Sequence, residues 1–344
     1  MWSQMSSLTP PSQAVATFKL NYPALYEKLC ASSCESMPLL LLYFLLHKNI
    51  GFRNFLLSRV DIENLVLPLL NILYDSCTET VDAFGCHHLY IALIIMLILS
   101  EDDFFCKIVH EISLKSVPWY SERPKDMSLG SLVILVLVKN VQHNMSRRRD
   151  RYLQTNCLAA LANMSAYFKN LPPFVCQKFM GLLDVLSKRH ARLLDHVQLS
   201  AEYDLSQAQE IQDVAALEEA MRMLLEIFNC TLTYSMAHSA HLIYAMLYEK
   251  SLFEGFQQHP MFQDLIWNII MVKMDFSFSG VIVQEIQKGA IQWPSDRLKK
   301  FPELKFKYIE DKNTDEFFIP YIWSLIFKDG GFYFDPAKIK LFTS

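Results

Sequence analysis

Three consecutive carboxylates and two adjacent histidines are the residues of this sequence best suited to catalysis or metal binding. Glu101, Asp102 and Asp103 could serve as paired carboxylates in general acid–base chemistry. His87 and His88 carry imidazole nitrogens, but adjacent residues point in different directions on a helix, and a helical metal site needs a pair one turn apart. We therefore interpret the histidines as the polar start of a helix and the carboxylates as the solvated end of the same buried helix.

Known enzyme motifs are absent from the sequence. It contains no G-x-S-x-G elbow, no Walker loop, no G-x-G-x-x-G and no H-E-x-x-H. Its eight cysteines follow no C-x-x-C spacing and mostly lie in apolar runs, which predicts neither a zinc site nor a disulfide framework and is typical of a reducing compartment. The sequence therefore predicts no catalytic residue, no metal or cofactor, and no small-molecule substrate.

Two basic clusters are stronger functional candidates, because both could contact anionic lipid or a partner protein. The arginine cluster contains Arg147, Arg148, Arg149 and Arg151, and the lysine cluster contains Arg297, Lys299, Lys300, Lys305 and Lys307. Each basic side chain near a charged bilayer contributes about 1 kcal/mol of salt-sensitive attraction. Alternatively, the arginines form a solvated helix start, and the lysine stems cover apolar surface while their charges stay in water.

A helix predicted from Thr155 to Ala166 offers a different kind of site. Its alanines permit close helix approach, and Asn156 and Asn163 share one face. The helix resembles the last helix of an armadillo repeat, and in armadillo proteins that helix lines a groove where its asparagine bonds an extended peptide. By this analogy Asn156 and Asn163 are candidate groove residues. The alternative is that Asn163 bonds neighbouring backbone across the helix stack.

The apolar residues of the sequence follow helical periodicity, so all of these candidate residues are expected to lie on or beside helices. Apolar residues recur at spacings of three and four along the chain, and prolines or glycines bound segments suited to single helices. Only nine glycines occur in 344 residues, about 3% against an average near 7%, which argues against strand-rich and nucleotide-binding folds. No strict repeat period emerges, as in a degenerate solenoid. We predict an all-α fold, specifically an armadillo/HEAT-like α-solenoid of irregular helical repeats.

The predicted solenoid covers residues 1–293, with an exposed polar loop near 199–213. Residues 294–344 are rich in proline, aromatic residues and lysine, and we expect them to form an irregular cap that closes the last helices. The net charge of −4 supplies no field that would attract nucleic acid. The polar start of the chain does not have the pattern of a secretory signal.

Three apolar runs raise the question of a membrane crossing: Met37–Leu46, Leu89–Leu99 and Leu129–Val138. Each is shorter than the roughly 20 residues that a spanning helix needs. We therefore expect helices sandwiched between neighbours in a large core.

The sequence resembles the dymeclin family in several separate blocks. The most distinctive block is the segment NMSRRRDRYLQTNCLAALANMSA at 144–166. Further blocks lie at 64–74, 89–103, 119–123, 128–139, 296–310 and 317–325. The resemblance implies a role in Golgi organisation and intracellular membrane traffic, without catalytic activity, in a protein that exchanges between the cytoplasm and the cytosolic face of the Golgi. Family members are roughly twice this long and begin with the Met-Gly that myristoylation requires. This chain begins Met1-Trp2-Ser3-Gln4, so we expect it to correspond to the C-terminal half and to lack that site.

The leading hypothesis is therefore a non-enzymatic scaffold that binds other proteins and contacts Golgi membranes peripherally. Two alternatives stay open at this point. One is a structural module that needs the N-terminal half of the family for recruitment to membranes. The other is an armadillo-like adaptor that binds peptides.

Overall fold

The structure is a computed structural model, and it describes residues 20–78, 83–122, 127–199, 205–276, 283–294 and 297–330. These ranges are mostly helical, and the strands within them are one antiparallel pair of two residues each, β1 Ser113–Leu114 and β2 Met127–Ser128. The predicted all-α fold is confirmed. Short π- and 3-10-helical turns lie at Asn144–Arg148 and Met236–His238.

The α-helices are α1 Tyr22–Ser32, α2 Ser36–Lys48, α3 Ile50–Leu57, α4 Glu63–Asp75, α5 Ala83–Ser100, α6 Asp103–Glu111, α7 Leu129–His143, α8 Arg151–Ser165, α9 Pro173–Leu199, α10 Leu205–Tyr234, α11 Ala240–Tyr248, α12 Lys250–Phe256, α13 Gln263–Phe276, α14 Val283–Ile291 and α15 Thr314–Asp329. Several of them begin at side-chain caps that the sequence supplies. Asn49, Asp102, Ser128 and Asp150 each accept a hydrogen bond from a backbone N–H of the first turn.

The helices pack in two rows. Successive members of the first row, α2, α5, α8, α10 and α13, contact one another, and so do those of the second row, α4, α7, α9 and α11. The rows are joined by the pairs α4–α5, α7–α8, α9–α10 and α11–α13. One continuous hydrophobic core runs between them.

The three apolar runs form helices inside this core. They lie in α2, α5 and α7, and α7 is buried on all sides over most of its length. Burying a leucine or valine side chain contributes about 1.5–3 kcal/mol, so these helices account for much of the stability of the fold. Among the helices of the described ranges, none combines the length and the apolarity that crossing a membrane requires.

Two predicted regions differ from the structure. Helix α10 begins at Leu205, so most of the polar stretch near 199–213 is helical and not a loop. Glutamine, glutamate and alanine favour helix, and Gln209 and Gln212 are exposed on it, while residues 200–204 of the stretch lie outside the described ranges. The predicted cap also differs, because the segment after Pro294 does not stay beside the last helices but returns to α2 and α5.

Candidate functional site

Residues 299–310 form an extended segment, here called the strap, which lies across the first row of helices. The strap has neither helical nor strand structure, yet its side chains alternate like those of a strand. Residues 304, 306, 308 and 310 are half-buried, whereas 303, 305, 307 and 309 are exposed. Within the described ranges its backbone bonds no other backbone. Side chains of the helices hold it instead.

Two buried asparagines each bond one strap residue through both polar atoms of the amide. Asn163 of α8 donates from Nδ2 to the carbonyl of Phe306 at 2.9 Å and accepts its N–H at 2.6 Å. Asn268 of α13 donates to the carbonyl of Lys299 and accepts its N–H, both at 2.9 Å. Paired strands in an antiparallel sheet exchange the same two kinds of bond. Both asparagines are fully buried, so these contacts satisfy amides that would otherwise lose their hydrogen bonds to water.

Two further side chains bond the strap's backbone. Glu101, just after α5, accepts the N–H of Tyr308 at 2.8 Å with one oxygen and a bond from Arg53 at 2.8 Å with the other. Tyr234, at the end of α10, donates its hydroxyl to the carbonyl of Phe301 at 3.0 Å. Glu101 is only 14% exposed, so it is not the solvated helix end that the sequence predicted. It is partly buried because the strap and Arg53 both cover it.

The strap meets the helices in the reverse of their order in the chain. From residue 299 to 310 it contacts α13, α10, α8, α5 and finally α2, where Tyr43 and Lys48 bond Glu310. An extended chain rises about 3.3 Å per residue, so this length spans about 36 Å. Neighbouring helices lie about 8–10 Å apart, so the four steps from α13 to α2 require roughly 32–40 Å. The two lengths agree, so the strap is nearly fully extended.

Charges of opposite sign pair along the strap. Lys305 donates to Asp103 at the start of α6 and lies 5.3 Å from the ring centroid of Tyr167. The bond from Lys305 holds the pKa of Asp103 below its usual range. Burial opposes the charge of Lys305, but its pairing with Asp103 leaves the lysine pKa raised. At the other end, hydrogen bonds from Lys48 and then His47 lower the pKa of Glu310.

Comparison with known proteins agrees with the resemblance drawn from the sequence blocks. The family model described as "Dymeclin: Dyggve-Melchior-Clausen syndrome protein" matches residues 3–325. The chain belongs to the dymeclin family. It is 46% identical to Dymeclin of Rattus norvegicus over 97% of this chain, and 45% identical to that of Xenopus laevis over 99%. Dymeclin of Dictyostelium discoideum is 29% identical over 95% of the chain.

The chain spans about half the length of the curated dymeclins that it matches, covering 51% of the rat protein and 53% of the frog protein. No solved structure matches it.

The two predicted groove asparagines have different surroundings in this dymeclin-family fold. Asn163 contacts the strap and also donates to Ser100 Oγ of α5 at 3.0 Å. Asn156 is half-buried and donates to the carbonyl of Tyr152 in its own helix at 2.8 Å. Only Asn163 of this pair has a hydrogen bond to the strap among the described contacts.

Most side chains of the arginine cluster form hydrogen bonds or ion pairs with other residues of the chain. Arg148 donates to the carbonyl of Ser76 at 2.7 Å, Arg151 pairs with Glu219 at 2.6 Å, and the guanidinium of Arg149 lies 3.7 Å from Asp213. Arg149 also has a positive φ of 57°, at the turn that follows the π-helical residues. Arg147 is exposed.

The lysine cluster lies on and just before the strap. Arg297, Lys299, Lys300, Lys305 and Lys307 are all exposed residues. Lys299 lies 5.3 Å from the ring centroid of Trp267, in addition to the bonds of its backbone with Asn268. The strap mostly crosses the first-row helices near their C-terminal ends, where helix dipoles favour positive charge.

The remaining residues that could do chemistry are engaged in structure. Asp102 caps α6, and the ring of His87 stacks on Tyr321 of α15 at 4.5 Å. All eight cysteines lie within the described ranges and are free thiols. Burial raises the pKa of Cys106 and Cys176 to about 12 each, which disfavours reactive thiolates.

One cluster of metal-ligand type occurs among the described residues. His190, Glu218 and His259 bring their ligand atoms within 4.8 Å of one another, and both imidazole Nε2 atoms face the same oxygen of Glu218, at 3.0 and 3.6 Å. Imidazole and carboxylate are ligands that zinc accepts, although the same contacts also satisfy a His–Glu–His ion-pair cluster. The three residues are far apart in the sequence, so no motif indicated them.

Proposed function

We propose that this chain is an armadillo-like α-solenoid that works as a non-enzymatic interaction scaffold in Golgi organisation and membrane traffic. Membership of the dymeclin family supports the cellular role. The observation that carries the scaffold proposal is the pair of helix rows, one of which presents a continuous surface that binds an extended segment through Asn163 and Asn268. Such a surface binds protein backbone.

Peripheral membrane contact is the second part of the proposal. Arg147, Lys300 and Lys307 remain exposed, whereas Arg148 and Lys305 are bonded within the molecule. Because each basic residue near an anionic bilayer contributes about 1 kcal/mol, removing two of them lowers membrane partition roughly 25-fold at low salt.

The test is cell fractionation with charge-reversed variants. The Lys300→Glu/Lys307→Glu variant is compared with the parent chain and with Lys28→Glu/Lys115→Glu, which reverses two exposed lysines elsewhere. Golgi membranes should retain the parent and the control until a high-salt wash, and should recover little of the strap variant. If the Golgi membranes recover none of the three, the alternative in which the N-terminal half of the family supplies the membrane attachment is favoured, whereas equal retention of all three would contradict a contact through Lys300 and Lys307. A version extended to a Met-Gly start measures that contribution directly.

An adaptor that binds peptides is the second candidate. It is favoured by the paired bonds of Asn163 and Asn268 to an extended backbone.

A further inference from the structure

We propose that the strap occupies a peptide-binding groove, and that the groove's other ligand is an extended segment of a partner protein that takes the strap's place. This deepens the scaffold function and rests on it. The groove is the face of α2, α5, α8, α10 and α13 that the strap crosses.

The groove binds backbone groups that every extended peptide carries. Asn163, Asn268, Glu101 and Tyr234 bond the N–H or carbonyl groups of the strap and need no particular side chain at those positions. The strap itself has no backbone partner within the described ranges, unlike a strand inside a sheet. A foreign segment can therefore make the same bonds.

Side-chain contacts define the chemistry of that segment. Leu304, Phe306 and Tyr308 are half-buried at alternate positions, and the ring of Tyr308 lies 5.4 Å from that of His47. Between them Lys305 pairs with Asp103, and two residues after Tyr308 the carboxylate of Glu310 bonds Lys48 at 2.7 Å. The expected ligand has apolar or aromatic residues at every second position, a lysine between the first two, and an acidic residue at its C-terminal end.

The strap does not fill the groove completely. A cavity of about 230 Å³ lies beside Tyr308, lined by Tyr90, Ile94, Tyr152 and Phe317 among others. This volume accommodates additional apolar side-chain atoms from a partner segment. The strap is therefore an occupant that a better-fitting peptide can replace.

Replacement must overcome the advantage of a tethered competitor. An intramolecular segment acts at an effective concentration on the order of millimolar, so a free peptide binds weakly while the strap is intact. Weakening the strap without altering the groove should expose the site. Phe306→Pro does this, because proline removes the N–H that Asn163 accepts while remaining compatible with extended backbone. Lys307→Pro is the matched control, since the N–H of Lys307 has no hydrogen bond among the described residues.

The experiment measures fluorescence anisotropy of a labelled peptide with the sequence of residues 297–312, titrated with the full chain. Loss of this bond, together with the half-buried phenyl ring of Phe306, should strengthen binding of the peptide to Phe306→Pro by about tenfold or more relative to the parent and to Lys307→Pro. Once the strap of Phe306→Pro is released, adding Asn268→Leu should weaken binding of the peptide, because Asn268 bonds only Lys299 among the described contacts.

A charge exchange tests the site without proline. Asp103→Lys weakens the strap's own pairing with Lys305 and reverses the preferred charge at that position. This variant should prefer a peptide with glutamate in place of Lys305 by roughly fivefold, whereas Phe306→Pro should prefer the lysine peptide.

Two results would overturn the proposal. If neither Phe306→Pro nor Asp103→Lys binds either peptide while both unfold cooperatively near the parental Tm, the strap is a fixed part of the fold. If light scattering finds Phe306→Pro to be a dimer, the groove accepts the strap of a second copy and not a partner's segment. Both readouts are independent of membrane recovery, so failure here is distinguishable from failure of the scaffold proposal.

Discussion

The amide of Asn163 and the backbone of Phe306 exchange two hydrogen bonds, of 2.9 and 2.6 Å, across 143 positions of sequence. Two other buried asparagines of the fold join helices to each other. Asn140 donates to the carbonyl of Leu73 at 3.0 Å, and Asn229 donates to that of Leu265 at 2.7 Å. Asn163 differs because its partner is an extended segment, so the stability of α8 and the position of the strap are coupled.

Asn163→Leu should therefore destabilise the chain far more than Asn156→Leu. The first change removes bonds to Phe306 and Ser100 and leaves the N–H of the half-buried Phe306 without its acceptor, which costs about 2–4 kcal/mol. The second removes a bond within one helix, from a half-buried side chain, and should cost less than about 0.5 kcal/mol. Urea denaturation followed by circular dichroism measures both free energies of unfolding. Equal losses would mean that the strap contributes nothing through Asn163.

The sequence predicted the helices and left two readings of Asn163 open, a groove residue or a bond to neighbouring backbone, but it did not indicate the strap as its partner. Apolar spacing is local information, and it identified the buried helices α2, α5 and α7. Asn163, Asn140 and Asn229 look alike in sequence, since each is an asparagine in an apolar helix. Their roles depend on which segment the fold brings opposite them. Glu101 was taken for a solvated residue for the same reason, because Arg53 and Tyr308 reach it only in the folded chain.

The close approach of α6 to α7 makes Gly130 a position that tolerates no side chain. A Cβ at Gly130 would lie 2.5 Å from Nδ1 of His110, which is buried. Gly130→Ala should destabilise the chain by about 1–3 kcal/mol through overpacking. Gly181→Ala in α9 is the matched control, because nothing lies within 4 Å of its Cβ and alanine favours helix by up to about 1 kcal/mol. In thermal denaturation, Gly130→Ala should have a lower Tm than the parent chain. Gly181→Ala should have an equal or higher Tm.

His110 should also make stability depend on pH. Burial, and secondarily the positive charge of Lys169, lower its pKa from 6.5 to about 4, so the folded chain holds this imidazole neutral while the unfolded chain protonates it below about pH 6.5. The unfolded state then binds more protons between those values, and the free energy of unfolding falls as pH decreases through this window, by up to about 1.4 kcal/mol per unit. Below about pH 4 this group adds no further loss.

Variants at His110 separate the contribution of this imidazole to the pH dependence of stability from the contributions of other titratable groups. His110→Leu should flatten the dependence between pH 6.5 and 4, whereas His238→Leu, at an exposed histidine, should leave it unchanged. Urea midpoints at closely spaced pH values provide the measurement. An unaltered slope in His110→Leu would show that other groups produce the acid sensitivity.

The arginine cluster should divide into a structural and an exposed part. Arg148 donates to the carbonyl of Ser76 at 2.7 Å, and this ties the turn before α8 to the end of α4, so Arg148→Met should cost about 1–2 kcal/mol of stability. Arg147 is exposed one residue earlier, and Arg147→Met should change the free energy of unfolding by less than about 0.5 kcal/mol. If the cluster also contacts anionic lipid, vesicles containing phosphatidylserine should bind Arg147→Met about fivefold less well at low salt. A stable Arg147→Met variant with undiminished vesicle binding would leave the exposed lysines of the strap as the membrane contact.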